Sequence, residues 1–222
     1  MRSAAIKSIV AFLGAAMLIG PVMAQDADIP DFAGLWQRPE NAAGRTFQQP
    51  ASGPGPLEDF PDAGAFRIGD YNNPILRPHA AEAVKAHGDR GRTGEVLLPP
   101  WSLCWPSGVP LVLNMGEPIQ ILQDPEYVVI IYRRDMQVRR IKLNASVPAD
   151  ASPSWYGHSV GHYESPHTLV VETVRQNDKA DVDRFGTPRS ESIRVVERYT
   201  MNPDRSEFRV DFTVEDPETF TS

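Results

Sequence analysis

The stretch from Trp155 to Val174 limits the possible folds of this chain more than any other. Side chains that alternate in character flank a turn dipeptide, Ser165-Pro166, on both sides. A period of two around a turn signal is the pattern of a β-hairpin with long arms. Three of the five histidines lie in it, His158, His162 and His167. The segments on either side also have the period of strands.

Ile119 to Gln123 is short and apolar, and Tyr127 to Arg133 carries the nearly continuous run Tyr-Val-Val-Ile-Ile-Tyr of a strand covered on both faces. Val138 to Leu143 sets Arg140 and Lys142 against Ile141 and Leu143, so one face is wet. Two more strands follow the hairpin, Glu191 to Thr200 and Glu207 to Val214, the latter with Phe208, Val210, Phe212 and Val214 on one side. Near the N-terminus, Asp31-Phe32-Ala33-Gly34-Leu35-Trp36 has the Gly-x-Trp opening with which lipocalin-type barrels begin. About eight strands result, the number at which an antiparallel sheet closes into a small barrel and loses its edges. The expected fold is therefore all-β, an antiparallel closed barrel of about eight strands, lipocalin-like.

Between Arg38 and Pro118 the composition shifts to Pro, Gly, Ala and Asp, with Pro54-Gly55-Pro56 and Pro99-Pro100 as breakers. This reads as a long insertion, 38–118, in a single barrel domain, 25–222. Its one helix candidate is Pro78 to His87, opened by proline in the first turn and closed by Gly88, and placed outside the barrel. The apolar Trp101, Cys104, Trp105 and Pro106 mark the part expected to dock, as a lid.

Arg2 and Lys7 lead into an apolar run from Ile9 to Gly20, and Val22-Met23-Ala24 supplies the small residues of a cleavage site. That is a secretory signal peptide, 1–24, cleaved after Ala24, and it points to a periplasmic or extracellular protein. The run is shorter than the ~20 residues of a bilayer span, which argues against a stable membrane anchor. Cleavage removes two cations and no carboxylate, leaving the chain more acidic than the −7 of the full sequence. Such a surface, without a basic run, does not suit nucleic acid. The single cysteine, Cys104, has no partner for an internal disulfide and is expected to be buried as a small apolar residue.

Histidines four apart on a strand, His158 and His162, share a face but stand roughly 13 Å apart at ~3.3 Å per residue, too far to bind one ion. His162 and His167 flank the hairpin turn near Glu164, but hairpin tips usually carry solvated polar groups, and no metal or other cofactor is implied. Alternation sets Glu172 between Val170 and Val174, and Glu197 between Val195 and Tyr199. Carboxylates on apolar faces are costly unless paired. Two alternatives follow. Arginines, among them Arg133, Arg175, Arg194 and Arg198, neutralise them in ion pairs. Otherwise Glu172 and Glu197 serve as general acid and base, with His158 as a second proton carrier and Arg133 as an anion clamp.

The chain resembles a family of uncharacterised secreted bacterial proteins. The likeness is carried by Asp31 to Trp36, Cys104-Trp105-Pro106-Ser107-Gly108-Val109-Pro110, Trp155 to Thr173, Pro188 to Glu191, Val196-Glu197-Arg198-Tyr199 and Glu215-Asp216-Pro217. The family's hairpin reads Trp-x-Gly-His-Ser-x-Gly-x-Trp-Glu-Gly-Asp-Thr-Leu-Val-Val, and this chain departs from it at Tyr163-Glu164-Ser165-Pro166-His167. The resemblance implies a lipocalin-like (calycin-like) barrel and brings no reaction with it. The expected function is binding of a small, mostly apolar molecule, aromatic or lipid-like, in a cup of Tyr127, Ile131, Trp155, Tyr199 and Phe212. The alternative is a cofactor-free lyase, isomerase or hydratase using the His158, Glu172, Glu197 and Arg133 set.

Overall fold

A computed structural model describes residues 30–39, 68–134 and 136–221, without the side chain of Trp101. The expected signal peptide, 1–24, and residues 40–67 of the expected insertion lie outside the described residues. Among the described residues, eight strands run in sequence order across one sheet: β1 (Gly34–Trp36), β2 (Ile119–Gln123), β3 (Tyr127–Tyr132), β4 (Gln137–Leu143), β5 (His158–Ser165), β6 (Thr168–Val174), β7 (Arg194–Met201) and β8 (Phe208–Glu215). The expected hairpin is β5 and β6, turning at Pro166-His167 with a bulge between Tyr163 and Ser165.

Two features correct the expectation of a closed antiparallel barrel. The pairing of β4 with β5 is parallel and covers only Ile141 to Leu143 against Ser159 to Gly161. A parallel step needs a connection of roughly a dozen residues or more, and residues 144–157 supply one. The second is that β1 and β8 are the two ends of the sheet and do not pair, so it curls into an open half-barrel.

Alternation sets the lining of the curl. Ile121, then Val128, Ile130 and Tyr132, then Ile141 and Leu143, then Leu169 and Val171, then Val195, Tyr199 and Met201 turn inward and are buried. Aromatic rings join the two sheet ends where hydrogen bonds do not. Trp36 meets Phe208 edge-on at 4.8 Å between centroids, and Phe32 meets Phe208 at 5.8 Å and Tyr199 at 6.3 Å. Gln123 holds the lead into β1 in place, accepting from the Phe32 N–H at 3.0 Å and donating to the Pro30 carbonyl at 2.9 Å.

The helix, α1 (Pro78–Arg92), begins at the proline but runs past the expected stop. Gly88 is buried against Ile68, and Asp89 holds Lys85 at 2.5 Å and Arg92 at 3.1 Å, which carries the last turn. Next to it, the strand-like bridge Leu76–Phe220 and a bond from the Arg77 N–H to the Thr219 carbonyl (2.9 Å) tie its start to the C-terminal turn. No helix among the described residues is long and apolar enough to cross a membrane. Cys104 is exposed, not buried, and sits at φ 58° at the end of the 3₁₀ turn Pro100–Leu103. Its neighbours Ser102, Leu103 and Trp105 are exposed as well, so the segment offers the thiol no core to pack in.

Candidate functional site

The inward face carries one charged group from each side of the curl, Arg139 on β4 and Glu197 on β7, both almost completely buried. Their strands are not neighbours. Curling brings them face to face, and the guanidinium grips the carboxylate through two bonds of 2.5 and 2.8 Å. The remaining donors of Arg139 reach Ser159 Oγ (2.9 Å), Thr173 Oγ1 (2.6 Å) and Tyr132 Oη (3.4 Å), while the Tyr199 hydroxyl donates to Glu197 at 2.7 Å. A charge pair with its hydrogen bonds met is one form in which ions are tolerated in an apolar interior. Burial drives the Arg139 guanidinium down, but the facing carboxylate outweighs it and the net shift is upward. Burial, reinforced by the Glu197 charge, lifts the Tyr199 hydroxyl well above its usual range.

The other expected acid-base residues are not assembled around this pair. In the register of β6 and β7, Val171 lies opposite Glu197 and Glu172 opposite Val196, so the two glutamates face opposite sides of the sheet. Glu172 is on the outside, bonded to Arg194 at 2.8 Å. His158 is on the same outer face, with Nε2 3.3 Å from the Ser152 carbonyl. Arg133 is exposed beyond the end of β3. The ion-pair alternative accounts for both glutamates, although the arginine serving Glu197 is Arg139, outside the four expected. At the hairpin tip, His162 and His167 are exposed and Glu164 pairs with Arg198. Among the described residues no three acidic, histidine or cysteine side chains are grouped to hold a metal.

Of the five residues expected to form a cup, two share a cavity. Tyr199 and Phe212 line a cleft of about 540 Å³ along the seam between β1 and β8. Its apolar wall is Trp36, Ile119, Phe208 and Val210, with the buried Tyr132 and Tyr199 as floor. A segment of the insertion, the 3₁₀ turn Leu111–Asn114, closes one side with Val112 and Leu113, whereas Trp105 of the expected docking segment packs outside the cleft. Arg38 stands at the polar end, donating to the Leu113 carbonyl at 2.6 Å, its half-buried guanidinium pushed down by desolvation. Tyr127 and Ile131 alternate onto the outer face of β3, and Trp155 packs against Trp105 at 5.5 Å, outside the cleft.

The chain matches no protein-family model, no curated protein and no solved structure.

A second buried guanidinium, Arg189, has a structural task. It donates to the carbonyls of Asn177 (2.7 Å), Trp155 (3.1 Å) and Val109 (3.4 Å) and to Gln176 Oε1 (3.0 Å), gathering three loops at one point. With no carboxylate in direct contact, burial pushes it down to about 10, and it stays charged at neutral pH. Sequence patterning gave no hint of it, because the loops it gathers have no period.

Proposed function

We propose that this chain is an exported protein that binds a small, mostly apolar molecule, aromatic or lipid-like, in the seam cleft. One observation carries the reading. Phe208, Val210 and Phe212 of an edge strand, with Trp36 of the other edge, stand half-buried around a cleft of about 540 Å³, and among the described residues no ninth strand meets them. Ligand cavities span roughly 300 to 1,000 Å³ and combine apolar walls with a few polar groups. The polar lining is Arg38, Gln37, Asn114 and Ser206 with two carboxylates, Glu207 and the Arg134-paired Glu117; Arg38 suits a ligand carrying one carbonyl or carboxylate on an apolar body. The buried pair of Arg139 and Glu197 lies beneath the floor, bonded to the Tyr199 hydroxyl, and holds the curl in shape. With its donors and acceptors committed to one another, it does not offer an acid or a base to a guest.

A fluorescent apolar carboxylate probe tests this. Wild-type protein should bind it saturably, and Val210→Trp, which fills the cleft from β8, should weaken binding at least about ten-fold with the unfolding midpoint little changed. Equal binding by the filled variant would refute the seam as the site. Native mass spectrometry of the protein taken from its own host should show a co-purified molecule lost in the same variant.

A further inference from the structure

A second cavity, of about 440 Å³, opens on the other side of the sheet where β4 and β5 part. Its origin is the short parallel step. Because β5 meets β4 only from Ile141 to Leu143, and residues 144–157 leave the sheet to make the crossover, the first half of β4 has a neighbouring strand on the β3 side alone. The lining of the space so left includes Arg140, Lys142 and His158, and contains no carboxylate.

Register explains why these three converge. Arg140 and Lys142 alternate onto the outer face of β4, and Lys142 lies beside Val160 of β5. His158, two residues earlier on β5, therefore stands level with Arg140 on the same face. Neither cation makes an ion pair or a side-chain hydrogen bond among the described residues. Elsewhere Arg90, Arg134, Arg139, Arg194, Arg198 and Arg209 each hold a carboxylate, and Arg38, Arg77, Arg175 and Arg189 bond to backbone carbonyls instead; Arg140 and Lys142 show neither kind of partner among the described residues. Glu172, next along the same outer row opposite Val160, is engaged by Arg194. In a chain with 29 carboxylates against 22 cations, two adjacent positive groups lack a counter-charge on the wall of a cavity. Two residues apart on a strand is roughly 7 Å, so flexible side chains from the two positions reach one small anion together.

We propose that this cavity is an oxyanion site, taking a dianion of the phosphate class, with Arg140 and Lys142 supplying the matching charge and His158 at its edge. The site is separate from the seam cleft and stands or falls independently of it. Inorganic phosphate titrated into full-length protein at low ionic strength, followed by calorimetry and by the His158 ring resonances, is the test. Saturable binding with a shift of the His158 ring is expected. The Arg140→Gln/Lys142→Gln double variant should lose at least about ten-fold in affinity, whereas Arg133→Gln, which removes an exposed unpaired cation outside the cavity, should bind as wild type. Circular dichroism of each variant checks the fold, which exposed side chains such as these leave intact. Absence of saturation into the tens of millimolar would overturn the proposal. So would an equal loss in Arg133→Gln, which would reduce the effect to general charge.

Discussion

Replacing Arg139 with methionine isolates the energetics of the buried pair. The change keeps much of the apolar stem but strips Glu197 of both its short bonds and leaves Ser159, Thr173 and Tyr132 each without a donor they now receive. Only the Tyr199 hydroxyl still serves the carboxylate. Breaking one partner of a buried pair costs about 3–5 kcal/mol, because an uncompensated charge remains inside. Replacing both partners, Arg139→Met with Glu197→Met, removes the stranded charge and should recover most of the deficit, since well-packed apolar substitutes for buried pairs are often neutral. Urea unfolding at neutral pH gives all four corners of the cycle, and a chain of this size should also lose roughly 6–20 °C in Tm for the single variant. A single-variant cost below about 1 kcal/mol, or a double variant no more stable than Arg139→Met, would refute the claim that charge stranding dominates at this point of the core.

Two more outcomes follow from the loops. Asp181 is largely buried, and desolvation with the neighbouring Asp183 charge raises its carboxyl from the ordinary 3.8 to about 6. The folded state is then the better proton binder, so this group's contribution is favourable at low pH and is lost as pH rises from about 4 through 6; the interval is worth about 3 kcal/mol. Asp181→Asn should stabilise the protein by up to that amount at pH 7 and leave it unchanged below pH ~4, as read by urea midpoints across pH. At Gly108, φ is +69°, and a Cβ would come within 2.6 Å of the Trp155 carbonyl while pressing on the Arg189 guanidinium. Gly108→Ala should cost more than the ~1–2 kcal/mol of a left-handed alanine, measured by thermal unfolding, and a smaller loss would mean that the Arg189 junction yields easily.

Period two showed clearly where the strands are, and β2 to β8 fall within a few residues of the segments chosen by alternation. It did not show which face of a strand is inside when both faces are apolar. On β6 the inward set is Leu169, Val171 and Thr173 and the outward set Val170, Glu172 and Val174, and nothing in that composition places Glu172 outside. Arg139 was legible in principle, since it alternates with Ile141 and Leu143, but Arg140 beside it drew attention to the wet face. Pairing direction is a long-range property. A connection of the length of 144–157 permits a crossover as readily as a wide loop, and the parallel step, the open sheet and the cavity beside β4 all follow from that choice. The seam cleft was hidden for a similar reason, because its side wall comes from Val112 and Leu113, in a stretch without helical or strand periodicity.

The short contact between β4 and β5 makes the sheet two meanders leaning on each other, β2 to β4 and β5 to β8, each built from consecutive hairpins. Apart from the β6 to β7 step, assembly of either one needs only partners close by in the chain, the quick kind of encounter. Distance along the chain enters first where β1 joins β2 across the insertion, second where the two meanders dock, and again within the second meander, where residues 175–193 separate β6 from β7. At the second, three residue pairs of backbone are assisted by a guanidinium reaching from one meander to a carboxylate on the other, so a single polar clasp helps to decide when two locally folded pieces become one molecule.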